Sequence, residues 1–197
     1  MTMSRSLPRT LVCDGADLVL RALAPGDEAA LLAFAQAIPV HDLLFLPRDI
    51  SEPKVIAAWV ADAGGGDLVN LLALDGDAVV GCATIVRDPR SWSRHVGELR
   101  VLIAPAMRSR GLGRKLMQTC FGLAVDLGLE KLTAQMTVDQ QGAIAVFQTM
   151  GFKPEALLHD HAQDRDGRKH DLVILAHDVA RFQAQMEAYG VTEVTAT

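Results

Sequence analysis

Residues 98–117 form an apolar run, a short glycine-bearing turn and the start of an amphipathic stretch. A strand, turn and helix start in that order can bind an anion. Gly111 and Gly113 allow a ligand close to the backbone, and a helix start leaves its first N–H groups unpaired. Arg108, Arg110 and Arg114 add positive charge. Such a set suits a phosphate or pyrophosphate. Two familiar phosphate motifs do not fit. Lys115 is followed by Leu116 rather than by Ser or Thr, which excludes a P-loop. Leu116 also stands where a dinucleotide fingerprint needs its third glycine.

The elements that must hold this turn alternate between strand and helix signals. Residues 1–16 are expected to form a flexible leader, 17–177 one domain, and 178–197 a C-terminal helix and tail. A strand at 18–23 is broken by Pro25-Gly26, after which Asp27 and Glu28 favour a helix running to about residue 37. Ser51 is placed to cap a second helix holding Val55, Ile56, Trp59 and Val60, which Gly64-Gly65-Gly66 ends. Runs at 68–74 and 79–86 flank Asp75-Gly76-Asp77, a hairpin signal. Strands at 95–103 and 132–138 enclose a helix at 112–127, where Leu112, Leu116, Cys120 and Ala124 recur at steps of four. A helix at 143–150 precedes strands at 155–162 and 169–176, joined through Asp166-Gly167. Hairpins dominate, so the expected fold is α/β in the α+β sense, with a mixed, mainly antiparallel sheet.

The composition narrows the function classes. The chain has 197 residues, half of them hydrophobic, enough for one domain with a substantial core. Its 19 Lys and Arg face 24 Asp and Glu, a net −5 that argues against a general nucleic-acid binder. The charge is uneven. Residues 87–115 hold eight basic residues and two acids, a net +6, leaving −11 for the remainder. Cys13, Cys82 and Cys120 are scattered without a C-x-x-C spacing, which suits a reduced compartment. With no apolar leader and no run long enough to span a bilayer, the protein is expected to be cytoplasmic, with no membrane partner.

Arg108-x-x-Gly111-x-Gly113, following a strand and opening a helix, resembles the acetyl-CoA signature of the GNAT superfamily of N-acetyltransferases. The stretch Ala143-Ile-Ala-Val-Phe147-Gln-Thr-Met-Gly151-Phe152 is similar to that family's A-I-x-L-Y-x-x-x-G-F helix, and the 155–176 hairpin to its closing strands. The likeness covers roughly residues 18–177. It implies a GNAT-like sheet of six to seven strands with helices on both faces, and acetyl-CoA as co-substrate. Backbone N–H groups of Arg110, Gly111, Leu112, Gly113 and Arg114 would hold the pyrophosphate, with charge from Arg108, Arg110 and Arg114. Backbone groups of Leu102 and Ile103 would pair with the pantetheine amides, and Gln140 and Phe147 would line the cofactor. Gln140 stands where the family often has asparagine, and Phe147 where it often has the tyrosine that protonates the leaving thiolate. The one tyrosine of this chain, Tyr189, lies in the C-terminal tail.

The resemblance implies acetyl transfer to a primary amine by direct attack in a ternary complex. A lysine ammonium with a pKa of about 10.4 must first lose a proton. Glu98 is the candidate base. Glu98-Leu-Arg-Val-Leu-Ile resembles the E-x-x-V-x-V strand of bacterial protein-lysine acetyltransferases, so a protein lysine joins small amines as a candidate acceptor. The alternative role for Glu98 is an ion pair with Arg100, which shares its strand face. A non-catalytic acyl-CoA sensor is the alternative from another class. Cys120 reads as a packed core thiol rather than a nucleophile. His159, His161 and His170 would share one face of the hairpin, reading as cleft lining or exposed surface rather than a metal site. His41 and Trp59 fall in the region that roofs the acceptor site in this fold. The oligomeric state is left as monomer or homodimer.

Overall fold

The computed structural model describes residues 7–180. Eight strands form one sheet: β1 (Arg9–Cys13), β2 (Ala16–Ala22), β3 (Leu68–Asp75), β4 (Ala78–Val86), β5 (Val96–Ile103), β6 (Lys131–Thr137), β7 (Lys153–Gln163) and β8 (Lys169–Asp178). Their order is β1-β2-β3-β4-β5-β6-β8-β7. Every pairing is antiparallel except β5 with β6. The helices are α1 (Glu28–Ala37), α2 (Pro53–Asp62), α3 (Leu112–Asp126) and α4 (Gln141–Thr149).

Strand alternation divides the core between the two faces of the sheet. Leu71, Ala73, Ala83, Ile85 and Leu99 pack with Leu112, Leu116, Cys120 and Ala124 of α3 and with Phe147 of α4. Leu72, Leu74, Cys82 and Leu102 point the other way, against Leu31 and Phe34 of α1 and Ile56 and Val60 of α2. Gly81 lets α3 sit close on β4, for a Cβ there would stand 3.1 Å from Leu112 Cδ2 and 3.3 Å from Leu116 Cδ1. The α3 seam is therefore what aims the phosphate-type turn at the end of β5.

Two expectations are corrected. Residues 9–13 are not part of a loose leader: Arg9–Cys13 pairs with β2 in register from Arg9↔Leu20 to Cys13↔Ala16. Leu11 and Cys13 alternate into the core, and Asp14-Gly15, both at positive φ, makes the tight two-residue turn. The sheet thus has eight strands rather than six or seven. Ser51 does not cap α2. Its hydroxyl donates to Asp49 Oδ1 at 2.6 Å, and the cap position is Glu52, followed by Pro53 in the first turn. The expected helix over 178–189 lies almost wholly outside the described residues.

At the start of α1, Arg21 donates to both oxygens of Asp27, at 2.6 and 2.7 Å, and holds that carboxyl below the usual range. His177 of β8 is buried beside Phe121 and Phe152, with ring centroids 4.6 and 5.4 Å away, and burial pushes its pKa down. An unfolded chain therefore takes up this proton at a higher pH than the folded one. The contribution is complete above about pH 6.5 and is lost as the pH falls below it. Melting temperatures measured between pH 7.5 and 5 are expected to fall on acidification, with a shallower slope in His177→Gln. Leu116→Ala, in the α3 seam, is expected to lower the unfolding free energy by about 2–5 kcal/mol in chemical denaturation.

Candidate active site

The parallel partners β5 and β6 pair over only three rungs, Val96↔Lys131, Gly97↔Leu132 and Glu98↔Thr133. Beyond Glu98 the strands part, and the space between them is a groove of about 550 Å³. Leu99, Val101, Leu102 and Ile103 form one wall, Gln135 and Met136 the other, and Phe147 of α4 closes its side. Ala104 N–H donates to Val80 O across the β4–β5 pair at 2.9 Å. Antiparallel alternation then turns the backbone of Glu98, Arg100 and Leu102 toward β4, and that of Leu99, Val101 and Ile103 toward the groove. Leu102 therefore lines the groove through its side chain, and its backbone is not available to an extended ligand. Ile103 is, together with Val101 and Leu99. This corrects the expected Leu102–Ile103 pair by the two-residue period of a strand.

The turn after β5 opens the groove at its far end. Pro105–Met107 makes one 3-10 turn, and Gly111 then takes the helix-cap position with φ +81. The Lys115 N–H is the one that reaches back to Gly111 O, at 3.1 Å, so the N–H groups of Leu112, Gly113 and Arg114 have no carbonyl four residues behind them in the helix. A Cβ on Gly111 would meet nothing within 4 Å. Gly111, Leu112, Gly113, Arg108 and Arg114 all line the groove. Arg110 does not: its guanidinium lies 3.7 Å from Asp14 and 3.9 Å from Met107 Sδ, behind the turn. Of the three arginines expected to supply charge, two face the site. Arg114 has no ion-pair partner among the described residues.

Glu98 sits at the fork where β5 and β6 part. Arg100 binds its carboxylate with both nitrogens of a fork, at 2.7 and 3.0 Å, each side chain 20% exposed. The ion pair weighed from strand alternation is thus present, and Glu98 touches the fork rather than the groove's lining. Phe147 is buried edge-on against Phe152, with centroids 5.0 Å apart, and brings no proton to the groove. Gln140 stands just before α4. Its Oε1 accepts from Thr137 N–H at 3.3 Å and its Nε2 donates to Asp42 Oδ1 at 3.3 Å.

The other candidates separate. His159 pairs with Asp171 at 3.0 Å and His170 with Asp164 at 2.8 Å. A bulge between Leu158 and Ala162, with Asp160 at φ +51, breaks the alternation that would have put the histidines on one face. Among the described residues no group of three or more His, Cys, Asp or Glu is placed to hold a metal ion. Cys82 and Cys120 are core thiols whose pKa values burial pushes up to about 12. Trp59 packs in the α2 seam and donates to Asn70 Oδ1 at 2.9 Å. Arg87 donates to Gly66 O and Arg90 lies 4.0 Å from Asp67, so this part of the basic block belongs to the loop before β5, away from the groove.

Sequence reasoning missed Asp42, Phe45 and Asp139, which line the groove. Asp42 accepts from Arg108 Nη2 at 2.6 Å. Asp139 follows β6 and lies 2.9 Å from His41 Nε2. The Thr137 hydroxyl, with His41, holds its carboxyl below the usual range. His41 also meets Thr137 Oγ1 at 3.3 Å and His170 ring to ring at 5.1 Å. One sequence signal was available, an aspartate placed between a strand end and the glutamine that opens the next helix.

Comparison with known proteins agrees with this architecture. The Acetyltransferase (GNAT) family model matches residues 36–152. N-acetyltransferase 8 of Rattus norvegicus is 28% identical over 95 residues, covering 48% of this chain and 38% of that protein. N-acetyltransferase 8F1 of Mus musculus is 27% identical over 95 residues, with the same two shares, so the chain spans 38% of the length of these relatives. A GNAT-family acetyltransferase from Streptococcus pneumoniae superposes with a TM-score of 0.69 at 23% identity, covering 82% of this chain and 99% of that one. The GNAT domain of S. lividans PAT gives 0.70 at 20% identity, covering 86% and 96%. The protein yncA from Salmonella typhimurium, solved with its cofactor acetyl-CoA, gives 0.69 at 21% identity, covering 83% and 95%. The solved structures share the overall fold, the family model spans more than half of the sequence, and the chain belongs to the GNAT acetyltransferase family.

Proposed function

We propose that the protein is an acetyl-CoA-dependent N-acetyltransferase acting on a primary amine, with a protein lysine as the first acceptor class to test. The observation that carries this reading is the opening between β5 and β6, which leads from Glu98 to the uncapped N–H groups of α3. An extended amide-bearing arm fits between two strand edges that stop pairing with each other after Glu98↔Thr133, and a pyrophosphate fits the helix start. The Arg114 charge and the space around Gly111 support the same placement. The match to yncA with its acetyl-CoA agrees with it.

The chemistry follows from that placement. The amine nitrogen attacks the thioester carbonyl, an N–H on the open edge of β5 stabilises the developing oxyanion, and the carbon–sulfur bond breaks to release coenzyme A thiolate. Glu98, at the fork, takes the amine proton. The Arg100 fork fixes its carboxylate in place and so orients it. Phe147 lacks a proton, so the thiolate is protonated by solvent.

Two experiments test these roles. Glu98→Gln is expected to lower kcat/KM by about 10²–10⁴-fold at pH 7, with partial recovery as the pH approaches the acceptor's own pKa. Its coenzyme A affinity should stay near wild type, and an unchanged pH–rate profile removes Glu98 from the role. Gly111→Asp puts a side chain at φ +81, a strain of about 1–2 kcal/mol, and a negative charge against the phosphate position. Calorimetry should show coenzyme A affinity falling by about tenfold or more, and wild-type affinity would displace the phosphate from this turn.

A further inference from the structure

The segment Val40–Leu43, one 3-10 turn between α1 and α2, is tied to both walls of the open groove. Asp42 receives Arg108 Nη2 at 2.6 Å from the wall formed by β5 and α3. On the wall formed by β6 and α4, Gln140 Nε2 donates to the other Asp42 oxygen at 3.3 Å. Its neighbour His41 adds Asp139 at 2.9 Å and Thr137 at 3.3 Å on that same wall. The turn is therefore a strap across the mouth of the parting strands. One carboxylate engages a lining side chain from each wall, Arg108 and Gln140.

We propose that Asp42 is a latch that competes with the phosphates of coenzyme A for Arg108, so that co-substrate binding releases the strap at residues 40–43. The inference rests on the reading of the groove as the coenzyme A site and adds a regulation of that site. The argument is electrostatic. Asp42 lines the groove and is the less exposed partner, 23% against 44% for Arg108, so water screens its charge less. A phosphate approaching the α3 start meets that charge as a like charge, and finds Arg108, one of the two arginines lining the groove, already bound. Binding is favourable when Arg108 changes partner and Asp42 leaves. Once it leaves, Gln140 also loses its acceptor, and of its polar side-chain ties to the walls the strap keeps the His41 contacts on one wall, with Leu43 still buried beneath it. The strap joins α1 to the loop leading into α2, on the sheet face opposite α3, so its release carries cofactor occupancy to that face.

Asp49 provides a matched control. It lies on the same α1–α2 connection and pairs with Arg165 and Ser51, outside the groove lining. Calorimetric titration with coenzyme A at low salt is expected to show Asp42→Asn binding about fivefold tighter or more than wild type. Asp49→Asn, which removes the same charge, should stay within about twofold. Hydrogen exchange on the wild-type protein supplies a readout that needs no variant. Amides in residues 40–46 are expected to exchange faster once coenzyme A is added, and to be already fast in Asp42→Asn without it. Equal or weaker binding by Asp42→Asn, an equal gain from Asp49→Asn, or slower exchange of the strap on coenzyme A addition each overturns the latch. A wild-type protein that does not bind coenzyme A overturns instead the reading of the groove on which the latch rests.

Discussion

The parting of β5 from β6 is the constraint on which the site depends. A sheet interior ordinarily pairs every N–H and C=O, because an unpaired backbone group away from water costs about 1–3 kcal/mol. Here the pairing stops after Glu98↔Thr133. Leu99, Val101 and Ile103 then present their backbone to a groove instead of to a strand. The fold tolerates the interruption because both walls are braced elsewhere, β5 by β4 on its other edge and β6 by β8 along its whole length. An opening of this kind favours a ligand that is itself strand-like and carries amides, which describes a pantetheine arm better than a compact metabolite. The α3 start places N–H groups and Arg114 where such an arm must end in charge.

Helix packing fixes the distance between these two features. Leu112 and Leu116 reach onto Gly81, and a Cβ there would press on both leucines at 3.1 and 3.3 Å. The cap residue Gly111 is thereby held at the end of β5 in a left-handed conformation that other residues enter at a cost. Glycines at 81 and 111 thus serve one purpose through different physics, one by removing volume and the other by permitting a positive φ.

Much of this was legible in the sequence, and the reasons for the rest differ by element. The α3 stripe, the β3–β4 hairpin and the Arg108–Gly113 turn follow from periodicity and local turn chemistry, which tertiary contacts did not override. Arg9–Cys13 was missed because a five-residue edge strand with Val12 on its exposed face and Arg9 on the inward one shows no clean alternation, although its Asp14-Gly15 turn was visible. Leu102 was assigned to the co-substrate by resemblance, whereas the hydrogen-bond phase that turns its backbone away is set by the register with β4. The histidine face was lost to a bulge, which no alternation rule anticipates. Arg110 was expected to bring charge to the site from its place in the motif, but a turn sends neighbouring side chains in divergent directions.

The polar contacts across the groove mouth explain why the missed residues matter. Asp42 and Asp139 belong to different loops almost a hundred positions apart, so their relation to Arg108 and His41 is invisible in any local window. Together they spread the charge of the site over three pairs: Asp42 with Arg108, Asp139 with His41, and Glu98 with Arg100. Each pair sets a basic or imidazole group opposite a carboxylate at or beside the groove. An anionic co-substrate disturbs the Asp42–Arg108 pair first, because Arg108 is the basic member of the three that lines the groove. Glu98 and Arg100, set back at the fork, keep their geometry while the mouth rearranges. A rigid fork and an exchangeable mouth divide positioning from admission, and the boundary between them is the rung at which β5 and β6 stop pairing.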